Sequence, residues 1–345
     1  MSTALPVILD QDDGMSRTAS PRADGPEPSR LATRLMDALV HETSRHPQGV
    51  RRRALSALRK ARLLAGDPAV VVVFDGRELV IPLSHELPVH RARHPDYSRN
   101  LGRVAAALHE ARPGAPVVDI GANVGDSVAI IRDQAPEVPI LCIEGDAQFL
   151  PYLDHNVRGL AGVEVAPVYV RHSGAHGGGQ MAVVRVGGTA SLVDQAGGVG
   201  GEPITARSLD DILADHPCFA NPGMLKLDTD GHDADILLQA ESVLAAARPV
   251  VFFEFDPPMA AGVGGTDPHA ALDLLARLGY CRSLFFTNTG ALAGALEVDA
   301  WASDAVSMAA DLGPGRPVAY FDVCVFGPHD AELALEIERR ERSRL

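Results

Sequence analysis

The chain has 345 residues, 46% of them hydrophobic and 22% charged, with a formal net charge of −14. That balance describes a globular chain, and the acidic surplus argues against nucleic acid or an anionic membrane as the main partner. No apolar run reaches the length of a membrane span and the N-terminus lacks a basic-then-apolar signal plan; four scattered cysteines (Cys142, Cys218, Cys281, Cys324) give neither a zinc spacing nor a disulfide framework, so a reducing cytoplasm is expected.

Residues 1–30, rich in Ser, Pro, Asp and Gly, read as a disordered tail. Leu31, Leu35 and Leu39 recur at helical spacing, Pro47-Gln48-Gly49 breaks the chain, and residues 50–64 read as a second, basic helix. Residues 31–65 hold eight Lys/Arg against two Asp/Glu, a local excess of +6. This appendage, residues 31–68, could support a homodimer, cover a substrate site, or simply present a solvated basic face.

Residues 69–74 and 77–81 flank Asp75-Gly76 as a β-hairpin. A polar entrance loop, 82–99, follows with His85, His90, His94 and Tyr97; its histidines are expected to face solvent, and it lies where a substrate lid could sit. Hairpin and loop together make a unit at 69–100. Residues 101–330 form the main domain, opened by a helix at 101–111. Its strands and helices alternate as in an α/β, doubly wound (Rossmann-like) sheet. Seven strands are expected, at 117–120, 140–143, 163–170, 224–228, 250–255, 280–287 and 318–326, the last antiparallel to the others. A glycine-rich excursion at 174–201 separates the third from the fourth; 180–186 alternates like an extra strand and 197–201 should be mobile. Residues 331–345 read as a charged C-terminal helix.

The informative stretch is Val117-Val118-Asp119-Ile120-Gly121-Ala122-Asn123-Val124-Gly125-Asp126, an apolar strand ending in a carboxylate, a tight turn and a helix start. Free backbone N–H groups at such a helix start can meet polar groups of a ligand. Gly121 and Gly125 allow close approach to the backbone, and Asn123 tolerates positive φ. A Walker loop would end in Gly-Lys-Ser/Thr, which is missing here. The dinucleotide fingerprint needs glycines at 121, 123 and 126, where Asn123 and Asp126 interrupt it, and this speaks against a nicotinamide-dependent oxidoreductase. Acidic–x–Gly–x–x–x–Gly does match the first motif of class I S-adenosylmethionine (SAM)-dependent methyltransferases. A turn that binds nothing is the plainer alternative.

Glu144, 25 residues after Asp119, ends the next strand and is followed by Gly145-Asp146. A carboxylate there is placed to accept hydrogen bonds from both ribose hydroxyls of an adenosine. The fourth strand ends in Leu225-Lys226-Leu227-Asp228-Thr229-Asp230-Gly231-His232-Asp233. Ligands of open α/β sheets bind beyond the carboxyl ends of the strands, so Asp228, Asp230 and His232 share an edge with Asp119 and Glu144. Methyl transfer to oxygen needs donor and acceptor aligned and the hydroxyl proton removed. His232 is the candidate base because histidine titrates near neutral pH, although it could equally cap the following helix; His172 and His176 are weaker rivals. Asp228, Glu254 and Asp256, at adjacent strand ends, could hold a Mg²⁺ ion that polarises a hydroxyl pair, or could meet the cofactor's ammonium group or solvent.

With these blocks in place, the chain resembles an FkbM-type SAM-dependent methyltransferase from about residue 79 to 327. The matching pieces are Val118 to Asp126, the strand ending at Glu144, Tyr152-Leu153 through Asn156-Val157, and Thr205-Ala206-Arg207-Ser208-Leu209-Asp210-Asp211-Ile212-Leu213 ahead of Leu225 to Asp233. The last pair is similar to the family's "SLDD…LKIDVEGHE" signature, and Val251-Phe252-Phe253-Glu254 matches its next strand. The resemblance implies SAM held by Asp119, Gly121, Ala122, Asn123, Gly125, Glu144, Gly145, Asp146 and Arg171, with Asp228 near the methionine end. It also implies O-methylation of a small hydroxylated substrate, typically a natural product or a sugar. Asp230 and Asp233 stand where the family more usually has glutamates. A catalytically silent SAM-binding scaffold or regulatory partner is the alternative from another class.

Overall fold

The computed structural model describes residues 25–170, 181–186, 189–194, 206–301 and 318–344. Two helices open it, α1 (Arg30–Arg45) and α2 (Val50–Leu63). Ser29 caps α1 by accepting from the Ala32 N–H. The buried face of α1 is Ala32, Met36 and Leu39 with Thr43, while Leu31 is 74% exposed. The helical period was legible, but its phase is one residue off the leucine stripe. The buried face is set by three neighbours at once, since α1 packs against β1, α2 and α3. Along α2 only Arg59 is buried.

Strands β1 (Ala69–Phe74) and β2 (Arg77–Pro82) pair antiparallel around Asp75-Gly76, as the turn residues dictate. The entrance loop is not a plain loop. It folds into α3 (Leu87–Arg93), with Pro88 in its first turn, and leads to α4 (Arg99–Ala111).

The main domain then runs β3 (Val117–Ile120), α5 (Asp126–Gln134), β4 (Ile140–Ile143), α6 (Leu150–Val157) and β5 (Val163–Ala166). Next come β6 (Tyr169–Val170), β7 (Met181–Val186), β8 (Thr189–Asp194), β9 (Ala206–Arg207), α7 (Leu209–Asp215), β10 (Met224–Leu227), α8 (Asp233–Gln239), α9 (Glu241–Ala247) and β11 (Val250–Phe255). The chain ends with α10 (Pro257–Val263), α11 (Pro268–Arg277), β12 (Arg282–Thr287), β13 (Leu292–Glu297), β14 (Phe321–Phe326) and α12 (Ala331–Arg342).

The central sheet has the order β13-β12-β14-β11-β10-β3-β4-β5. Its strands β3, β4, β5, β10 and β11 are parallel, and β14 lies antiparallel between β11 and β12. This is the expected doubly wound sheet with an antiparallel last strand, and it has eight strands rather than seven. The extra edge strand is β13. The expected strand 163–170 is also two pieces, since β6 leaves the sheet to pair with β9. In the excursion β7 pairs with β8 as a separate hairpin, and the 197–201 run lies outside the described residues. Residues β3, β4 and β10 are buried throughout, as expected of parallel strands covered on both faces. Helix α12 packs on the main domain through buried Ala334 and Ile337 and through the Arg103–Glu341 ion pair at 2.5 Å.

Sheet order reverses between β3 and β10, which opens a crevice beyond their carboxyl ends.

Candidate functional site

The turn after β3 is built as its residue types require. Gly121, Asn123 and Gly125 all have positive φ, at 78°, 47° and 86°. A Cβ at Gly121 would lie 2.0 Å from the carbonyl oxygen of Asp228, so this glycine makes room for the turn after β10. Gly125 makes room for Leu153 of α6 at 3.1 Å. The expectation that both glycines admit a ligand is therefore corrected for Gly125, which admits a neighbouring helix.

Beneath the turn lies a buried ion pair. Lys226 Nζ is 2.9 Å from Asp119 Oδ1, and both side chains are almost wholly enclosed. Ser127 donates to Asp119 Oδ2, and Lys226 Nζ also reaches the Gly121 carbonyl at 3.3 Å and Asp228 Oδ2 at 3.7 Å. Burial alone would lower the Lys226 pKa; Asp119 and Asp228 outweigh it and hold the ammonium above its ordinary value. Asp119 is thus an anchor for the β3–β10 seam, and it lines neither of the two chambers described next.

The first chamber, ≈ 610 Å³, opens between the β3, β4 and β10 turns. Glu144 faces it. Glu144 Oε2 accepts from the Asn123 N–H at 2.8 Å and Oε1 from the Asp146 N–H at 2.7 Å. Burial raises the Glu144 pKa and these amides oppose it. Phe149, Val168, Val170 and Ile236 give the chamber apolar walls, and Tyr169 lies against Gly145, where a Cβ would meet the ring at 2.2 Å. His232, on the same chamber, is buried with Nδ1 3.4 Å from Asp235 Oδ2.

The second chamber, ≈ 1390 Å³, shares Gly121, Asn123, Asp228 and Asp230 with the first. Its walls carry Asp126, Glu254, Asp256 and Asp322, with Lys226 and the phenols of Tyr97 and Tyr320. The two hydroxyls are 3.3 Å apart. Glu254 and Asp322 stand opposite each other across the β11–β14 ladder, and Asn100 donates to Asp322 Oδ2 at 2.8 Å. Burial pushes Asp230 and Asp322 up to about 7 and Asp126 up to about 6, with neighbouring carboxylates, Asp228 foremost, adding to the shift.

Among the expected site residues, Gly121, Asn123, Glu144, Gly145, Asp228 and His232 line the first chamber. Asp228, Glu254 and Asp256 line the second, and His232 does not. Ala122 and Asp146 are buried supports; Asp146 Oδ1 accepts from the Gln148 N–H at 2.7 Å, closing the turn before α6. Arg171, His172 and His176 lie outside the described residues. Asp233, one of the departures from the family pattern, joins Thr229 to β11 by accepting from the Thr229 and Glu254 N–H groups at 2.7 and 2.9 Å. Among the described residues no group of three or more His, Cys, Asp or Glu side chains converges to hold a metal ion.

Sequence reasoning assigned no role to Lys226, Tyr97, Tyr320 or Asp322. The lysine had a signal, since a lone cation inside the apolar run Met224–Leu227 requires a buried partner. His85 corrects the expectation of exposed histidines: it is 8% exposed, accepts the Leu87 N–H on Nδ1 at 3.2 Å and faces Asn123 Oδ1 with Nε2 at 3.3 Å. Burial lowers its pKa to about 4.

A doubly wound sheet with a glycine turn and a strand-end carboxylate at its switch point defines a Rossmann-like fold with a nucleoside-type crevice. Residues 119–281, a little under half of the chain, match the model of the Methyltransferase FkbM domain. No curated protein sequence matches the chain. Similar solved structures include the methyltransferase FkbM from Methylobacillus flagellatus KT, with 17% identity over 59% of this chain and 48% of that one and a TM-score of 0.33. Another is the O-methyltransferase TomG from Streptomyces achromogenes in complex with SAM, with 16% identity over 66% of this chain and 79% of that one and a TM-score of 0.33. The match spans about half the length of the Methylobacillus protein. Among the described residues no helix is long and apolar enough to cross a membrane.

Proposed function

We propose that the protein is a SAM-dependent O-methyltransferase acting on a hydroxyl of a small metabolite, of natural-product or sugar type. One observation carries the reading. The Glu144 carboxylate is fixed by two backbone amides at the mouth of an apolar-walled chamber, and it keeps acceptor capacity for a pair of ribose hydroxyls. The residues fit the cofactor: Gly121, Asn123, Glu144 and Gly145 border the space for the nucleoside, and Asp228, on both chambers, suits its cationic methionine end. When bound, the cofactor supplies an electrophilic methyl group on a sulfonium.

The second chamber is the acceptor's place. Tyr97 and Tyr320 orient a hydroxyl by hydrogen bonding, and Leu87 and His90 of α3 form part of the chamber wall. His232, held by Asp235, borders the first chamber only, so Asp228 and Asp230, which line both chambers, stand nearer to take the proton and His232 is the second candidate.

Calorimetric titration with S-adenosylhomocysteine tests the reading. Wild type is expected to bind it and Glu144→Ala to bind at least about tenfold more weakly, since hydrogen bonds to a charged group contribute about 1.5–3 kcal/mol. Absence of binding in wild type would falsify the proposal. With an acceptor in hand, His232→Ala and Asp228→Asn should slow turnover sharply; unchanged turnover would remove both from the chemistry.

A further inference from the structure

The groove between α2 and the segment joining β2 to α3 plays no part in the methyl transfer derived above. Arg52, Arg53 and Lys60 line it from α2, with Ser56 between them and Glu86 opposite. Leu63 and Val89 add apolar surface. Arg59, on the same helix, is consumed by the fold: its guanidinium donates to the Leu83 carbonyl at 2.8 Å, the Ser84 carbonyl at 2.6 Å and Glu86 Oε1 at 2.8 Å. That last bond neutralises the acidic residue of the groove.

Arg52, Arg53 and Lys60 keep their charge. Among the described residues none of them has a carboxylate within 4.0 Å, whereas Arg51 has Glu42 at 3.8 Å. Two guanidinium forks, an ammonium and a hydroxyl are the donor set that recognises phosphoryl oxygens.

The groove is joined to the site. Glu86 lines both it and the second chamber, so the two share a wall. We propose that the groove binds a phosphoryl group carried by the acceptor, making the substrate a hydroxylated compound that bears a phosphate or diphosphate ester. The acceptor role rests on the methyltransferase reading; the anion site stands on its own residues.

The test is calorimetry on the full chain with inorganic pyrophosphate as probe, in wild type, in Arg52→Gln/Arg53→Gln/Lys60→Gln and in Lys60→Glu, with S-adenosylhomocysteine titrated into each. Pyrophosphate should bind wild type, weaken at least about tenfold in the triple variant and weaken with added NaCl, while S-adenosylhomocysteine binding stays unchanged. Tighter binding of uridine diphosphate than of pyrophosphate supports a nucleotide-linked acceptor. Tighter binding of 4′-phosphopantetheine supports a tethered one. No pyrophosphate binding in wild type, or binding indifferent to the substitutions, overturns the proposal, as does binding to phosphatidylserine vesicles without pyrophosphate binding. Loss of S-adenosylhomocysteine binding in wild type with pyrophosphate binding retained overturns the acceptor role and the methyltransferase reading, leaving an anion site alone.

Discussion

Lys226 and Asp119 place opposite charges where water barely reaches, so each is tolerable only because of the other. Lys226→Met leaves the Asp119 carboxylate with Ser127 as its side-chain partner and should cost about 3–5 kcal/mol in chemical denaturation. Lys226→Met/Asp119→Asn should recover most of that stability, because neither buried charge is then left alone. Failure of the double variant to recover would show that the pair's contribution is packing, not charge. Gly121 has a second kind of constraint. Its φ of 78° and the Asp228 carbonyl 2.0 Å from a would-be Cβ make Gly121→Ala both strained and clashing. A loss of at least about 2 kcal/mol is expected, together with weaker S-adenosylhomocysteine binding because the β3 and β10 turns must separate. A variant with wild-type Tm and affinity would refute this account.

At the scale of elements, the hairpin turn controls the entrance segment. Asp75 accepts from Arg91 at 2.6 Å through both oxygens and from Arg99 at 3.0 Å, and Arg91 also reaches the Tyr97 carbonyl at 2.5 Å. One carboxylate therefore ties α3, the start of α4 and a chamber phenol to the tip of β1–β2. Asp75→Ala should speed amide hydrogen exchange across residues 87–99 while leaving β3 and β10 protected; uniform exchange rates would deny the tie. The sequence showed Asp75-Gly76 as a turn because turn chemistry is local. It did not show the clamp, because Arg91 and Arg99 are set beside Asp75 only by tertiary folding. The same division runs through the sheet. Buried parallel strands such as Val117–Ile120 are apolar runs that announce themselves. The edge strand Leu292–Glu297, with Ala293, Gly294 and Ala295 at its centre, has little β-propensity of its own and exists because β12 offers it a partner. The site divides likewise: Asp119, Glu144 and Asp228 were legible at strand ends, whereas Tyr97, Tyr320 and Asp322 come from separate segments that the sequence gives no reason to bring together.

Taken as a whole molecule, the protein concentrates acid at its crevice and should declare this in its response to pH. Burial, then mutual repulsion, raises Asp230 and Asp322 from 3.8 to about 7 and Asp126 and Asp233 to about 6. The carboxylates concerned sit beside one another and beside Lys226, so they titrate as a set. A raised carboxyl binds more protons in the native state than in the unfolded one, so stability falls as pH rises between 3.8 and about 7. His85 acts in the opposite sense: held near 4 by burial, it costs stability as pH falls from 6.5 towards 4. The ligand-free protein should therefore reach its highest Tm on the acidic side of neutrality and lose stability towards pH 8. Asp322→Asn should raise Tm at pH 8, where wild type carries the crowded charge, and leave it little changed near pH 5, where that carboxyl is already protonated. The crevice should also prefer the sulfonium of SAM to the neutral sulfur of S-adenosylhomocysteine, by a margin that is widest at pH 8 and shrinks as the carboxylates take up protons. Thermal scans of both proteins from pH 5 to 8, with and without each ligand, measure the two effects together. A wild-type Tm that rises steadily to pH 8 would mean that these carboxylates are solvated rather than crowded, and the charge-based preference for SAM would lose its basis.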